Sequence, residues 1–174
     1  MNILEIDYQV LKIFNQPLLP YLNTIFLFVI YSVYIFLVFL AYVFLKNKNR
    51  SKLFHLITAC LIGYLFVLGL KYFINRPRPC ETHADIDCII RKSDPSFPSA
   101  HSFIAFLSIY FIPKGFSKTL KYLSYIYLAI LIPFGSMYIG VHYPLDVLFG
   151  SLIGIITPFV ISEKFSNKIL TKFI

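Results

Sequence analysis

The sequence predicts an all-α fold, a polytopic membrane helix bundle of about five transmembrane helices preceded by an interfacial helix, and three observations carry that prediction. Of the 174 residues, 58% are hydrophobic and only 14% are charged, outside the range of ordinary soluble domains. The apolar residues fall in runs close to the ~20 that a helix needs to cross a bilayer, and basic residues cluster between alternate runs. The runs also lack the period-2 alternation of barrel strands, while a lipid-exposed backbone satisfies itself only in a helix or a closed barrel. One domain, 1–174, is expected, with no room for a second.

In chain order, Met1–Pro20 intersperses Ile3, Leu4, Val10, Leu11 and Phe14 with Glu5, Asp7, Gln9 and Lys12. That spacing is helical but too polar to span, so the segment is expected to lie at the membrane interface. It lacks the basic leader of a cleavable signal peptide. Spans are expected at about Tyr21–Leu45, Leu53–Phe73, Pro98–Ile112, Leu120–Tyr138 and Pro144–Ile161, the third being the shortest. Lys46, Lys48, Arg50 and Lys52 follow the first span, Lys114, Lys118 and Lys121 the third, and Lys164, Lys168 and Lys172 the fifth. By the positive-inside rule these segments share the cytoplasmic face. The acidic N-terminus, the Asn75–Phe97 loop and the Ile139–Tyr143 turn then fall on the extracytoplasmic side. The formal charge of +8 becomes a topology and anionic-lipid signal, with no nucleic acid partner implied.

Cys60 sits mid-span as a small apolar residue. Cys80 and Cys88 bracket the outer loop, where an oxidising compartment would let them join and an anaerobic one would leave them reduced. The same loop carries Glu81, His83, Asp85 and Asp87. Their spacing matches no specific metal site, so a solvated acidic loop is the expectation and no metal is assigned.

Three polar islands remain in this apolar chain, and charge at a bilayer edge is costly enough to need a cause. Lys71 precedes Arg78 by seven residues, and Arg78 lies between Pro77 and Pro79, which stiffen the backbone under a guanidinium suited to bidentate phosphate binding. Arg76 could add another cation, and interfacial anchoring explains it equally well. Pro98-Ser99-Ala100-His101 opens a helix whose first amides, those of Ser99, Ala100 and His101, are expected to be unpaired and to form an anion cradle. A simple cap with a solvated histidine is the alternative. In His142-Tyr143-Pro144-Leu145-Asp146, Pro144 suits the first helical position, which puts Asp146 at the third and within reach of the His142 ring. Such a contact would orient an imidazole to attack phosphorus. An N-cap aspartate beside an exposed histidine is the other reading.

At these residues the chain resembles the type 2 phosphatidic acid phosphatase superfamily, membrane lipid phosphatases related to the vanadium haloperoxidases. Lys71 with Arg78-Pro79 matches the first family motif, Pro98, Ser99 and His101 the second with Ala100 in place of glycine, and His142 with Asp146 the end of the third; the match covers 71–146. The resemblance implies His142 as nucleophile through a phosphohistidine, Asp146 as its orienter, and His101 as general acid. It places Lys71, Arg78, Ser99 and the Ala100 amide on the phosphate oxygens, with no divalent metal and no cofactor. The substrate implied is a lipid phosphate or diphosphate in the outer leaflet, and Ser96-Phe97-Pro98-Ser99 looks most like the polyprenyl (undecaprenyl) pyrophosphate phosphatases. Phosphatidic acid or phosphatidylglycerol phosphate is the enzyme alternative. The family's Ser-Arg pair is replaced by Gly135 and Ser136. Either Ser136 donates a weaker hydrogen bond to phosphate, or Arg76 or Arg91 substitutes, or activity is low or lost.

Overall fold

Apolar runs become helices almost throughout the described residues, 2–16 and 20–171 of this computed structural model, and no strand occurs among them. Met1, Pro17–Leu19 and Lys172 of the sequence-based assignments lie outside the described residues. The helices are α1 Ile3–Phe14, α2 Pro20–Lys46, α3 Arg50–Ile74, the single turn α4 Pro79–Thr82, α5 Ala100–Tyr110, α6 Lys118–Ile126, α7 Ile132–Tyr138, α8 Pro144–Val160 and α9 Glu163–Leu170. A π-turn, Tyr127–Leu131, joins α6 to α7 into one rod. Pro133 has no N–H to give the preceding turn, and the Ile132 amide reaches back to the Tyr127 carbonyl, widening the ladder there.

Among the described residues, α2, α3 and the α6–α7 rod are long and apolar enough to cross a membrane, and α8 with α9, bent by 63°, makes a fourth crossing if taken as one span. The expected third span, Pro98–Ile112, is a shorter helix. Ser99 caps it by accepting from the Ser102 amide, so Pro98 lies outside, and it stops ahead of Pro113. Its 11 residues rise about 16 Å against a hydrocarbon core of ~30 Å. Lipid is as apolar as leucine, so helix pairs in it are held by close packing. Gly150 and Gly154 on α8 supply that closeness: a Cβ on either would run into the Ser99 or Phe103 carbonyl oxygen of α5.

The basic segments gather at one end of the bundle. Lys52 at the start of α3 pairs with Glu163 of α9 (2.7 Å), Ser51 bonds the same carboxylate, and the end of α2 meets the loop after α5 through Phe44–Phe111 and Phe39–Phe116. At the other end lie the last turn of α3, the loop 75–99, the turn 139–143 and α1. One face of α1 exposes Ile3, Leu4, Ile6 and Ile13, while Leu11 and Asp7 are buried. Asn15 ties it down, donating to the Asp87 and Tyr138 carbonyls and accepting from the Asp87 amide.

The loop is held along its length. Cys80 and Cys88 are joined, with Cα atoms 5.8 Å apart. Of the acidic residues considered as metal ligands, Glu81 accepts the Arg78 amide and Asp85 pairs with Lys12 and Tyr8. His83 stacks on Tyr8. Among the described residues no cluster of His, Cys, Asp and Glu is arranged to hold a metal ion.

Candidate active site

The three polar islands converge at the end of the bundle away from the basic segments. Lys71, Arg78, Ala100, His101 and His142 all line one cavity of about 320 Å³, joined there by Tyr34, Tyr64, Lys92 and Asp94. Ser99, Ser136 and Asp146 do not line it.

Lys71 enters from the last turn of α3, only 2% exposed. Its ammonium donates to the Pro95 carbonyl and pairs with Asp94 at 3.1 Å. Arg78, equally buried, is fixed on several sides: Nε donates to the Asp94 carbonyl (2.8 Å), one terminal nitrogen to the Val141 carbonyl (2.7 Å), and the other to the Asp94 carboxylate (2.8 Å). Asp94 therefore holds both cations that the sequence assigns to phosphate. Burial raises its carboxyl, but Lys71 and Arg78 outweigh burial and hold it down to about 2, so the group is ionised at neutral pH.

His101 and His142 approach with ring centroids 6.4 Å apart. Tyr31 and Tyr34 of α2 brace His101 edge-on. Neither ring nitrogen of His101 has a hydrogen-bond partner among the described residues, and neither does Nδ1 of His142. Buried polar atoms are seldom left without partners; the His101 ring borders the cavity, while Nδ1 of His142 is turned toward Asp146. Burial first, then the charges of Arg78 and Lys71, push His142 well below its ordinary value, which keeps the ring neutral. The turn bearing it is set by Gly140 at φ +74, where a side chain would meet the Asp87 carbonyl.

Asp146 occupies the third position of α8, after Tyr143 as cap and Pro144 at the start, as the sequence predicts. Its Oδ2 lies 3.5 Å from His142 Nδ1, a charge contact longer than a hydrogen bond, because that oxygen accepts the Tyr143 amide at 2.9 Å. Its other oxygen accepts from Arg76 at 2.7 Å, and Arg76 also donates to Asp7 of α1 at 2.6 Å while lying over the Tyr143 ring. Arg76 is thus spent behind His142 and is not free to enter the cavity. Asp7 was not singled out in the sequence. It precedes Leu11 by four residues, so a carboxylate on the same stripe as an apolar residue of an amphipathic helix is the available signal.

The anion cradle is narrower than expected. The Ser99 amide donates to the Asp146 carbonyl (2.9 Å), and the Ser99 hydroxyl accepts from Ser102. Of the three amides expected to be open, those of Ala100 and His101 are left. The Ser136 hydroxyl, fully buried, donates back to the Ile132 carbonyl (3.0 Å) within its own helix. Arg91 lies outside the cavity, near Cys80 and Glu81. Lys92 and Asp94, passed over in the sequence, do line it.

Comparison with known proteins places this geometry among relatives. Residues 52–169 match the PAP2 superfamily. The chain is 31% identical over 111 residues to the bacitracin transport permease protein BcrC of Bacillus licheniformis, covering 63% of this chain and 54% of that one. It is 32% identical over 109 residues to phosphatidylglycerophosphatase B of Bacillus subtilis, covering 58% and 51%. It thus spans about half the length of both proteins. The crystal structure of Aquifex aeolicus LpxE superposes with a TM-score of 0.76 at 30% identity, over 88% of this chain and 92% of that one. That of a transmembrane PAP2-type phosphatidylglycerolphosphate phosphatase from Bacillus subtilis gives 0.74 at 26%, over 96% and 87%.

Proposed function

The chain belongs to the PAP2 superfamily, and from that premise we propose that it hydrolyses a lipid phosphate or diphosphate, using His142 as nucleophile. One observation carries the reading: the polar cavity and an apolar groove of about 400 Å³ share Tyr34 and Tyr64 as walls. The groove runs between α2 and α3, lined by Leu37, Leu56, Ile57, Cys60 and Leu61 among others. A phosphorylated headgroup suits the first space and a hydrocarbon tail the second.

In the proposed reaction Lys71, Arg78 and the amides of Ala100 and His101 hold the nonbridging oxygens where charge is greatest. Nδ1 of His142 is turned to Asp146, which leaves Nε2 for phosphorus. A bond forms from Nε2 to phosphorus as the bond to the leaving oxygen breaks, and His101 gives that oxygen its proton. Water then attacks the phosphohistidine, returns a proton to His101 and releases inorganic phosphate. Asp146 acts through its charge on the imidazolium that develops.

The basic segments at the far end of the bundle support a site on the extracytoplasmic face. A polyprenyl diphosphate is the substrate proposed first, on the Ser96-Phe97-Pro98-Ser99 segment. Phosphatidylglycerol phosphate is the second reading, favoured by the Bacillus subtilis sequence match and the Bacillus subtilis structure named for it. A lipid-binding protein without activity is the rival that Gly135-Ser136 favours.

Phosphate release by purified protein in detergent, without added metal, tests all three on polyprenyl diphosphate, phosphatidylglycerol phosphate and phosphatidic acid. His142→Ala should reduce release by about 10⁴-fold or more, as removal of a nucleophile does. Equal release by both proteins would sink His142, and none by the wild type on any substrate would favour the binding protein.

A further inference from the structure

We propose that Lys92 is a substrate-contacting residue of this site, its ammonium binding a nonbridging phosphate oxygen and supplying the charge that Gly135-Ser136 leave out. This deepens the phosphatase reading and rests on it.

Lysine 92 is the cavity-lining cation without a carboxylate partner among the described residues. Lys71 and Arg78 are both paired with Asp94, whereas the Lys92 ammonium lies over the Tyr31 ring, 5.1 Å from its centroid. Tyr31 is also the ring that packs edge-on against His101 at 5.4 Å, so Lys92 stands on the His101 side of the cavity. An aromatic face attracts an ammonium weakly, and an anion would draw it away at little cost. Leaving the histidines out of the sum, the two buried cations and Asp94 give the cavity a net charge of one, and Lys92 raises that to two. A phosphoryl group carries about −1.5 to −2 at neutral pH. The other candidates for the missing charge are occupied: Arg76 by Asp7 and Asp146, and Ser136 by the Ile132 carbonyl.

The titratable groups lining the cavities that Lys92 borders are Lys71, Tyr64 and Tyr72 from α3, Tyr34 from α2, with Tyr31 under its ammonium, His101 from α5, His142 from the turn, Glu81 from α4, and Arg78, Arg91 and Asp94 from its own loop. Burial first, then the Arg78 charge, lowers Lys92 to about 8, with Asp94 opposing. The contact should therefore be present below that pH and fade as pH rises through it. An arginine in its place keeps its charge throughout.

The test reads binding of inorganic phosphate to purified protein by calorimetry, together with kcat and KM for lipid substrate. Lys92→Met should weaken phosphate binding about ten-fold or more, the usual loss for a charged hydrogen bond. Lys92→Arg should stay within about three-fold of wild type, and should abolish the loss of affinity that the wild type shows above pH about 8. Both proteins meet the same titration of phosphate itself, so the difference isolates the lysine. Wild-type binding and kcat/KM in Lys92→Met would overturn the proposal and leave the phosphatase reading standing. Lys92-dependent phosphate binding without release from any lipid would uphold Lys92 as an anion contact and sink the phosphatase reading. If Lys92→Met fails to fold, an unchanged alkaline limb in Lys92→Arg overturns the proposal by itself.

Discussion

Two ionic clusters sit on opposite sides of His142, and they are built for different work. In the rear cluster one arginine, Arg76, is shared by two fully buried carboxylates, Asp7 and Asp146, and capped by the Tyr143 ring. In the front cluster Lys71 and Arg78 share one carboxylate, Asp94, whose side chain is 38% exposed, and Lys92 lines the same cavity without a carboxylate partner among the described residues. The rear cluster is closed, with negative charge in excess. The front one is open, with positive charge in excess. Arg76 and Arg78 stand two residues apart and each precedes a proline; in a regular extended segment that spacing would put both on one side, yet they enter different clusters. A closed cluster clamps α1, the loop and α8 into one frame, and an open one receives an anion.

The sharpest way to break this contrast is Arg76→Ala. Removing the shared cation strands Asp7 and Asp146 in a buried site, and breaking such a pair costs about 3–5 kcal/mol. The midpoint of thermal unfolding in detergent should fall clearly and kcat with it, since Asp146 loses the partner that orients it. Adding Asp7→Asn to Arg76→Ala should recover part of the lost stability by removing one stranded charge. An unchanged unfolding midpoint in Arg76→Ala would mean that the rear cluster holds nothing together.

Asp94→Asn sharpens the contrast from the front and should have a smaller effect. The Asp94 carboxylate occupies the donors of Lys71 and Arg78 that a phosphate needs, so phosphate and Asp94 compete for one position. Neutralising it leaves Lys71 its Pro95 contact and Arg78 its contact to the Val141 carbonyl. Inhibition by inorganic phosphate should tighten about three- to ten-fold, as expected for removing one like charge a few ångströms from an anion. Unchanged or weaker inhibition would show that Asp94 is a fixed part of the wall.

What the sequence revealed and what it hid divides along the same line. Long apolar runs announce helices because only self-satisfied backbone survives in lipid, and Pro144 with Asp146 announces the start of α8 because both cap locally. Lys71, Arg78, His101 and His142 were legible as the polar exceptions in an apolar chain. Lys92 and Asp94 were not. They lie in a loop without periodicity, placed by the Cys80–Cys88 link and by Ser96 hydrogen bonds to the Arg76 and Pro77 carbonyls, contacts that no local pattern encodes. The Asp7–Arg76–Asp146 cluster joins residues 69 and 70 positions apart, and an aspartate in an interfacial helix reads first as solvated. The third expected span, Pro98–Ile112, contains a helix shorter than its apolar run, because Ser99 caps it at one end and it stops ahead of Pro113 at the other.

The smallest effect expected is at Ser136, where the sequence placed a substitute for a missing phosphate donor. The hydroxyl donates to Ile132 one turn back, and the side chain is walled off from the cavity. Such back-bonds do little for a helix, so Ser136→Ala should change stability by less than about 1 kcal/mol and kcat/KM by less than about two-fold. Ser136→Arg should not raise turnover, because the new side chain has no cavity to enter and Lys92 already carries the charge. A ten-fold loss in Ser136→Ala, or a gain in Ser136→Arg that makes Lys92→Met harmless, would return the missing donor to α7 and take it from the loop.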